Sequence, residues 1–213
     1  DLDAVWEVVT GDAKYYQCTK KMHNAIQGDR EEIGDESYAH YERINAQNYE
    51  RLAPVLSEAD VVMIHDPQPA ALLQHFPDRK GKWIWRCHVD ASRPYRPVWR
   101  YLQKHVDGYD AAIYSLPAFA QPMEKPLYIV PPSIDPLSEK NVALSSDEID
   151  KVRSAYDIDP ERPVICQVSR FDRFKDPVGV IEAYRMAKAF GPPIQLILAG
   201  GGAADDPEGE EVF

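Results

Sequence analysis

The stretch "VICQVSRFDRFKDP", Val164–Pro177, decides how the chain folds. Its apolar run, Val164–Val168, has the length of a buried strand. The run ends in Ser169-Arg170, and three cations stand close together: Arg170, Arg173 and Lys175. A helical pattern follows over Asp176–Phe190, and a second apolar run, Ile194–Gly200, closes the unit. Strand, loop, helix and strand together are the building unit of a parallel α/β sheet.

The same alternation extends toward the N-terminus. Val5–Val9 reads as a strand, and "AKYYQCTKKMHNAIQG" as a helix stopped by Gly28. Glu36–Leu56 reads as a long amphipathic helix, with Tyr38, Tyr41, Ile44, Tyr49 and Leu52 at helical spacing. Asp60–His65 is a short strand, and "DPQPAALLQHF" opens a helix with prolines in its first turn. Lys82–Cys87 is a strand, "YRPVWRYLQKHV" a helix, and "YDAAIYS" and "PLYIVPP" two further short strands. Ser146–Tyr156 is the helix before Val164–Val168. The fold class is therefore α/β with parallel sheets. The connector "VPPSIDPLSEKN", Val130–Asn141, places three prolines in twelve residues and marks a boundary. The expected organisation is a Rossmann-like domain over 1–130, a connector over 131–145 and the start of a second Rossmann-like domain over 146–213. One strand–helix–strand unit is too small for a doubly wound sheet, and the first strand has no glycine-rich loop before it. The expectation is a segment of a longer protein with both domains incomplete.

Composition excludes several classes of function. A net charge of −11 argues against a general nucleic-acid or membrane surface, which needs a cationic footprint. The apolar runs are too short to span a bilayer, and the opening "DLDAVW" has no signal-like character. Three widely spaced cysteines, Cys18, Cys87 and Cys166, suit buried free thiols in a reducing cytoplasm rather than a disulfide set. The six histidines are scattered, with no i,i+4 His or Cys partner, so no metal site is expected.

Candidate chemistry lies at the strand ends, where open α/β sheets bind ligands. Arg170 stands two residues past Val168, and Lys175 is close enough for the loop to fold back toward it. A planar fork and a mobile point charge together suit a diphosphate. A solvated basic turn paired with Asp172 and Asp176 is the alternative. In "RCHVD", Arg86–Asp90, His88 and Asp90 follow a strand, and a histidine there can bond a ligand hydroxyl or move a proton. The alternative is a packed or surface imidazole. Asp66 in "HDPQPA" stands at a third strand end, where capping the following helix is the simpler role. Gly200, Gly201 and Gly202 permit close approach to a phosphate or nucleoside, though a plain loop serves equally.

Taken in order, "HDPQPA", "RCHVD", "VPPSIDPLSEKN", "VSRFDRFKDP" and "LAGGGAADDPEG" resemble the trehalose-synthesising retaining glycosyltransferases of GT-B fold. Within them the resemblance is to the glycosyltransferring trehalose synthases, of the glycosyltransferase family 4 type. It covers nearly the whole chain and implies two facing Rossmann-like domains. It implies that Arg170 and Lys175 grip the donor diphosphate and that His88 faces the donor sugar. Asp66 and Asp90 would flank the acceptor pocket, Asp135 would lie near the hinge, and Gly200–Gly202 would approach the donor nucleotide. The implied reaction joins nucleoside-diphosphate glucose and glucose into α,α-trehalose, with no cofactor, metal, nucleic acid or membrane; a homodimer stays open. Two alternatives remain: a trehalose phosphorylase using phosphate and glucose 1-phosphate, and a non-catalytic sugar- or nucleotide-binding module. The later acidic motif with two glutamates has no counterpart here, so the chain alone is expected to be inactive.

Overall fold

The structure, a computed structural model, describes residues 3–171 and 175–200. The chain separates into two compact units, Asp1–Ser133 and Ile134–Phe213.

In the first unit, α1 (Ala13–Ile26) begins at Asp12, whose carboxylate accepts the Tyr15 N–H. It stops before Gly28, which takes φ +110°, a left-handed turn open to glycine. Helix α2 (Asp35–Leu56) follows, then β1 (Val61–His65), β2 (Lys82–Cys87), α3 (Arg96–Val106), β3 (Ala111–Tyr114) and β4 (Leu127–Ile129). The four strands form one parallel sheet in the order β1-β2-β3-β4. In register, Ile64 pairs with Trp85 and Trp85 with Ala112. Alternation along the strands sends Ile64, Trp83, Trp85, Cys87 and Tyr114 into a core shared with α1, α2 and α3. Fully buried Met22 and Leu102 contribute roughly 1.5–3 kcal/mol each. The opposite face has exposed Val61, Met63 and Tyr128 but buried Arg86, Ala111 and Ile113.

Two expected elements differ. Val5–Val9 is no strand. Arg51 of α2 donates to the Val8 carbonyl and pairs with Glu7 at 3.1 Å, while Asn48 bonds both the N–H and the carbonyl of Thr10. Side chains of α2 thus take backbone groups that a strand would spend on a ladder. The segment after β1 forms only a short 3₁₀ turn, Ala70–His75, instead of a helix. Its first bonds run from Ala70 N–H to the Pro67 carbonyl and from Leu72 N–H to the Pro69 carbonyl, the i→i+3 pattern.

In the second unit, α4 (Ser146–Ala155) starts on a capping box between Ser145 and Glu148. Strands β5 (Val164–Val168) and β6 (Gln195–Ala199) are parallel, with Cys166 opposite Ile197, and α5 (Pro177–Phe190) crosses between them. Gln195 ties the sheet to the preceding loop through the carbonyls of Asp159 and Arg162, at 2.6 and 3.0 Å. All three cysteines are free, and Cys18 and Cys87 are buried as expected. Cys166 is exposed, because the two-stranded sheet leaves the faces of β5 half open.

Candidate active site

The first cluster forms at the C-terminal ends of β1 and β2. Asp66 follows β1 with φ 63°, an uncommon backbone for a residue with a Cβ. Three bonds hold it there. Its N–H donates to the Arg86 carbonyl at 2.8 Å, its own carbonyl accepts the Trp85 indole N–H at 3.0 Å, and its carboxylate accepts the His88 N–H at 2.8 Å. The carboxylate therefore spans to the neighbouring strand end instead of capping a helix.

Buried polar groups of α1 and α2 fix the loop that carries Asp66. The Tyr15 hydroxyl donates to the Gln68 carbonyl and the Tyr41 hydroxyl to the Pro67 carbonyl, each at 2.8 Å. Tyr41 also accepts the Ala71 N–H at 3.1 Å, and Asn45 donates to the Gln68 carbonyl at 3.2 Å. Burial raises both phenols well above their ordinary range, so they remain protonated donors.

His88 is exposed, and its Nε2 lies 2.8 Å from Nδ1 of His65. Burial lowers the pKa of His65, and the neighbouring His88 lowers it further, against the raising influence of Asp66. The exposed Trp6 ring lies 5.5 Å from His65. Burial pushes the Cys87 thiol up to about 12, which removes it as a nucleophile at neutral pH. Asp90, two residues beyond His88, uses its carboxylate to accept the Ser92 N–H at 2.8 Å. Asp66, His88 and Asp90 thus share one edge of the sheet, and Asp66 touches His88 directly. His65 and Trp6 escaped the sequence reading. His65 precedes Asp66 in "HDPQPA", and its place as the last residue of a strand was the available signal.

In the second unit, Arg170 and Lys175 are exposed beyond β5. Gln167 of β5 donates to the Lys175 carbonyl at 2.7 Å and ties Lys175 to the strand. Asp176, at φ 48°, caps α5 by accepting the Gly179 N–H at 3.0 Å. Lys175 therefore stands just before a helix N-terminus, where orphan N–H groups favour an anion. The Asp176 carboxylate is engaged in that cap. Arg173 and Asp172 lie outside the described residues, as do Gly201 and Gly202. Gly200 meets a tight packing demand: a Cβ there would stand 1.8 Å from the Ser169 carbonyl oxygen. Asp135 also belongs to the second unit, where its carboxylate accepts the Leu137 N–H at 2.9 Å in a local turn. Among the described residues, no group of three or more His, Cys, Asp or Glu could hold a metal ion, and no helix is long and apolar enough to cross a membrane.

Parallel α/β units with polar clusters at their strand ends define a protein of the GT-B class. A crystal structure of α,α-trehalose 6-phosphate synthase from Burkholderia multivorans has this fold, with a TM-score of 0.70 and 19% identity, covering 94% of this chain and 52% of that one. The chain belongs to the family described as trehalose synthase, N-terminal domain, which matches residues 1–121. It is 45% identical over 213 residues to a trehalose synthase of Rubrobacter xylanophilus, covering 98% of this chain and 51% of the relative. It is 44% identical over 211 residues to a trehalose synthase of Pyrococcus horikoshii, covering 98% of this chain and 50% of the relative. The chain thus spans about half the length of these relatives.

Proposed function

We propose that this chain is part of a retaining glycosyltransferase that moves glucose from a nucleoside-diphosphate glucose to glucose, giving α,α-trehalose and a nucleoside diphosphate. The observation that carries the reading is the 44–45% identity to proteins named trehalose synthase along nearly the whole chain. The chemistry of the strand ends supports it. Cleaving the sugar–phosphate bond leaves charge on a diphosphate, and Arg170 and Lys175 beside a helix N-terminus suit that charge when it is greatest. On this reading His88 contacts the donor sugar, with its backbone held by Asp66, while Asp66 and Asp90 flank the acceptor. Gly200 lets the nucleotide approach the ends of β5 and β6, and Asp135 lies near the hinge.

The test uses the full-length protein with nucleoside-diphosphate glucose and glucose, following trehalose and nucleoside diphosphate together. Arg170→Ala and Lys175→Ala should each remove about 1.5–3 kcal/mol of donor-phosphate interaction. Unchanged donor affinity and turnover in both variants would sink the assignment of that pair. Trehalose formed only from glucose 1-phosphate, with phosphate released, would replace the transferase by a phosphorylase. Binding without turnover of either donor would leave a binding module.

A further inference from the structure

A buried amide joins the end of β3 to the neighbouring strand end that carries His88 and Asp90. Gln121 follows β3 and the short turn Pro117–Phe119, and it is 5% exposed. Its Nε2 donates to the Ala91 carbonyl at 2.6 Å and to the Ser92 carbonyl at 3.3 Å. Its Oε1 accepts from the guanidinium of Arg96, the first residue of α3, at 3.1 Å. These partners fix which way the amide points, because the carbonyls need its N–H groups and the guanidinium its oxygen. Asp90 lies in the same short segment, half-buried between buried Val89 and Ala91. Its carboxylate accepts the Ser92 N–H at 2.8 Å. The segment is anchored at one end by the His88 N–H on Asp66 and at the other by the Tyr95 N–H on the Ala25 carbonyl, at 2.7 Å. Gln121 grips it midway between those anchors.

An aspartate turn of this kind orients the carboxylate against its own backbone and leaves open where that backbone stands on the sheet. Gln121 supplies the second constraint, since it ties the carbonyls of the turn to the loop after β3. We propose that Gln121 is the positioning residue for Asp90 and holds that carboxylate where the acceptor sugar meets it. The inference rests on the reading of Asp90 as an acceptor-side group. A carboxylate bonds a sugar hydroxyl through a short, directional, charge-assisted hydrogen bond. A displacement of about 1 Å is enough to lose much of its effect. Removing the Nε2 donors strands two carbonyls of the segment, and the turn must move to find them new partners. Arg96 acts one step further out, because its bond to Oε1 keeps the amide facing the segment. The Arg170–Lys175 pair belongs to the second unit and takes no part in these bonds, so the grip on the donor does not pass through Gln121.

The experiment compares steady-state kinetics of the full-length protein with nucleoside-diphosphate glucose and glucose across the parent, Asp90→Ala, Gln121→Met, the double variant and Arg96→Met. Thermal melts confirm that each is folded at the assay temperature. Gln121→Met should raise the KM for glucose about tenfold while the KM for the donor changes less than about twofold. Arg96→Met should raise it about threefold, in the same direction. In the Asp90→Ala background, adding Gln121→Met should change the glucose KM no further, the non-additivity of two residues that act as one. If Gln121→Met fails to fold, Arg96→Met, alone and combined with Asp90→Ala, is judged by the same pattern. A raised glucose KM in Asp90→Ala beside an unchanged one in Gln121→Met would overturn the proposal and leave the acceptor reading standing. An unchanged glucose KM in Asp90→Ala would bring down that reading and the proposal with it. Additive effects in the double variant, or equal rises in both KM values that follow a lower melting temperature, would reduce Gln121 to general support of the fold and overturn its positioning role.

Discussion

Nδ1 of His65 lies 2.8 Å from Nε2 of His88, and the two rings are nearly parallel, at 12°, with centroids 5.1 Å apart. Such a bond needs one protonated and one bare nitrogen, so the pair keeps it with no extra proton or with one, and loses it with two. His65 therefore constrains the ring orientation of His88. Asp66 fixes the same residue from its backbone side, through the His88 N–H. One strand end thus sets the histidine of the next.

The first prediction concerns this pair. In the full-length protein, His65→Leu should lower turnover about tenfold, roughly 1.4 kcal/mol, with donor KM little changed. His65→Asn should recover much of the loss, since its amide can occupy the place of Nδ1. The acid limb of the pH–rate profile should shift in the leucine variant. Equal activity of both variants with the parent, and an unmoved profile, would show that His88 needs no partner.

The second prediction concerns Tyr41, whose buried hydroxyl serves both the Pro67 carbonyl and the Ala71 N–H. Tyr41→Phe strands two buried backbone groups and should cost about 1–3 kcal/mol of stability. Because that loop carries Asp66, turnover per folded molecule should also fall. Urea denaturation together with specific activity measures both. A stable variant with full activity would mean that Tyr15 and Asn45 hold the loop unaided.

How far the sequence revealed all this depends on where each signal comes from. Strands such as Lys82–Cys87 and helices such as Asp35–Leu56 were legible because burial imposes its period on local composition. Val5–Val9 misled because apolar content reports burial tendency, whereas a strand also needs a neighbour; here Arg51 and Asn48 of α2 occupy the backbone instead. Asp66 looked like a cap because capping is local. Its bond to His88 joins residues 22 apart, and only the parallel register of β1 and β2 brings them together. His65 was missed for the same reason: it becomes informative only beside its cross-strand neighbour His88.

The third prediction concerns acid stability. Burial lowers the pKa of both His65 and His105 from 6.5. His105 is packed against the rings of Tyr41 and Tyr101, with Glu42 3.7 Å away opposing the shift and Lys104 reinforcing it. Below 6.5 the unfolded chain gains protons first, so stability falls as pH drops toward the folded-state values and is unaffected well above 6.5. His105→Gln should flatten that slope. Urea denaturation of the full-length protein between pH 8 and pH 5 checks it; identical slopes in parent and variant would contradict the assignment.

The fourth prediction joins the second unit's packing to its candidate anion site. Gly200 follows β6, and the Ser169 N–H donates to the Ala199 carbonyl at 3.0 Å, so the two strand ends are drawn together just before Arg170. A Cβ on Gly200 would meet the Ser169 carbonyl oxygen at 1.8 Å and its carbon at 3.0 Å, both backbone atoms with no rotamer by which to retreat. Gly200→Ala must therefore push β6 from β5 and displace the backbone that carries Arg170. Overpacking of this kind costs roughly 1–3 kcal/mol. Nucleoside-diphosphate affinity should fall along with stability in the full-length protein, whereas Arg170→Ala should lower affinity while leaving stability nearly unchanged. Calorimetric titration and thermal melts on both variants separate the two effects. If Gly200→Ala melts and binds like the parent, the strand ends have slack, and the glycine is no constraint on the site.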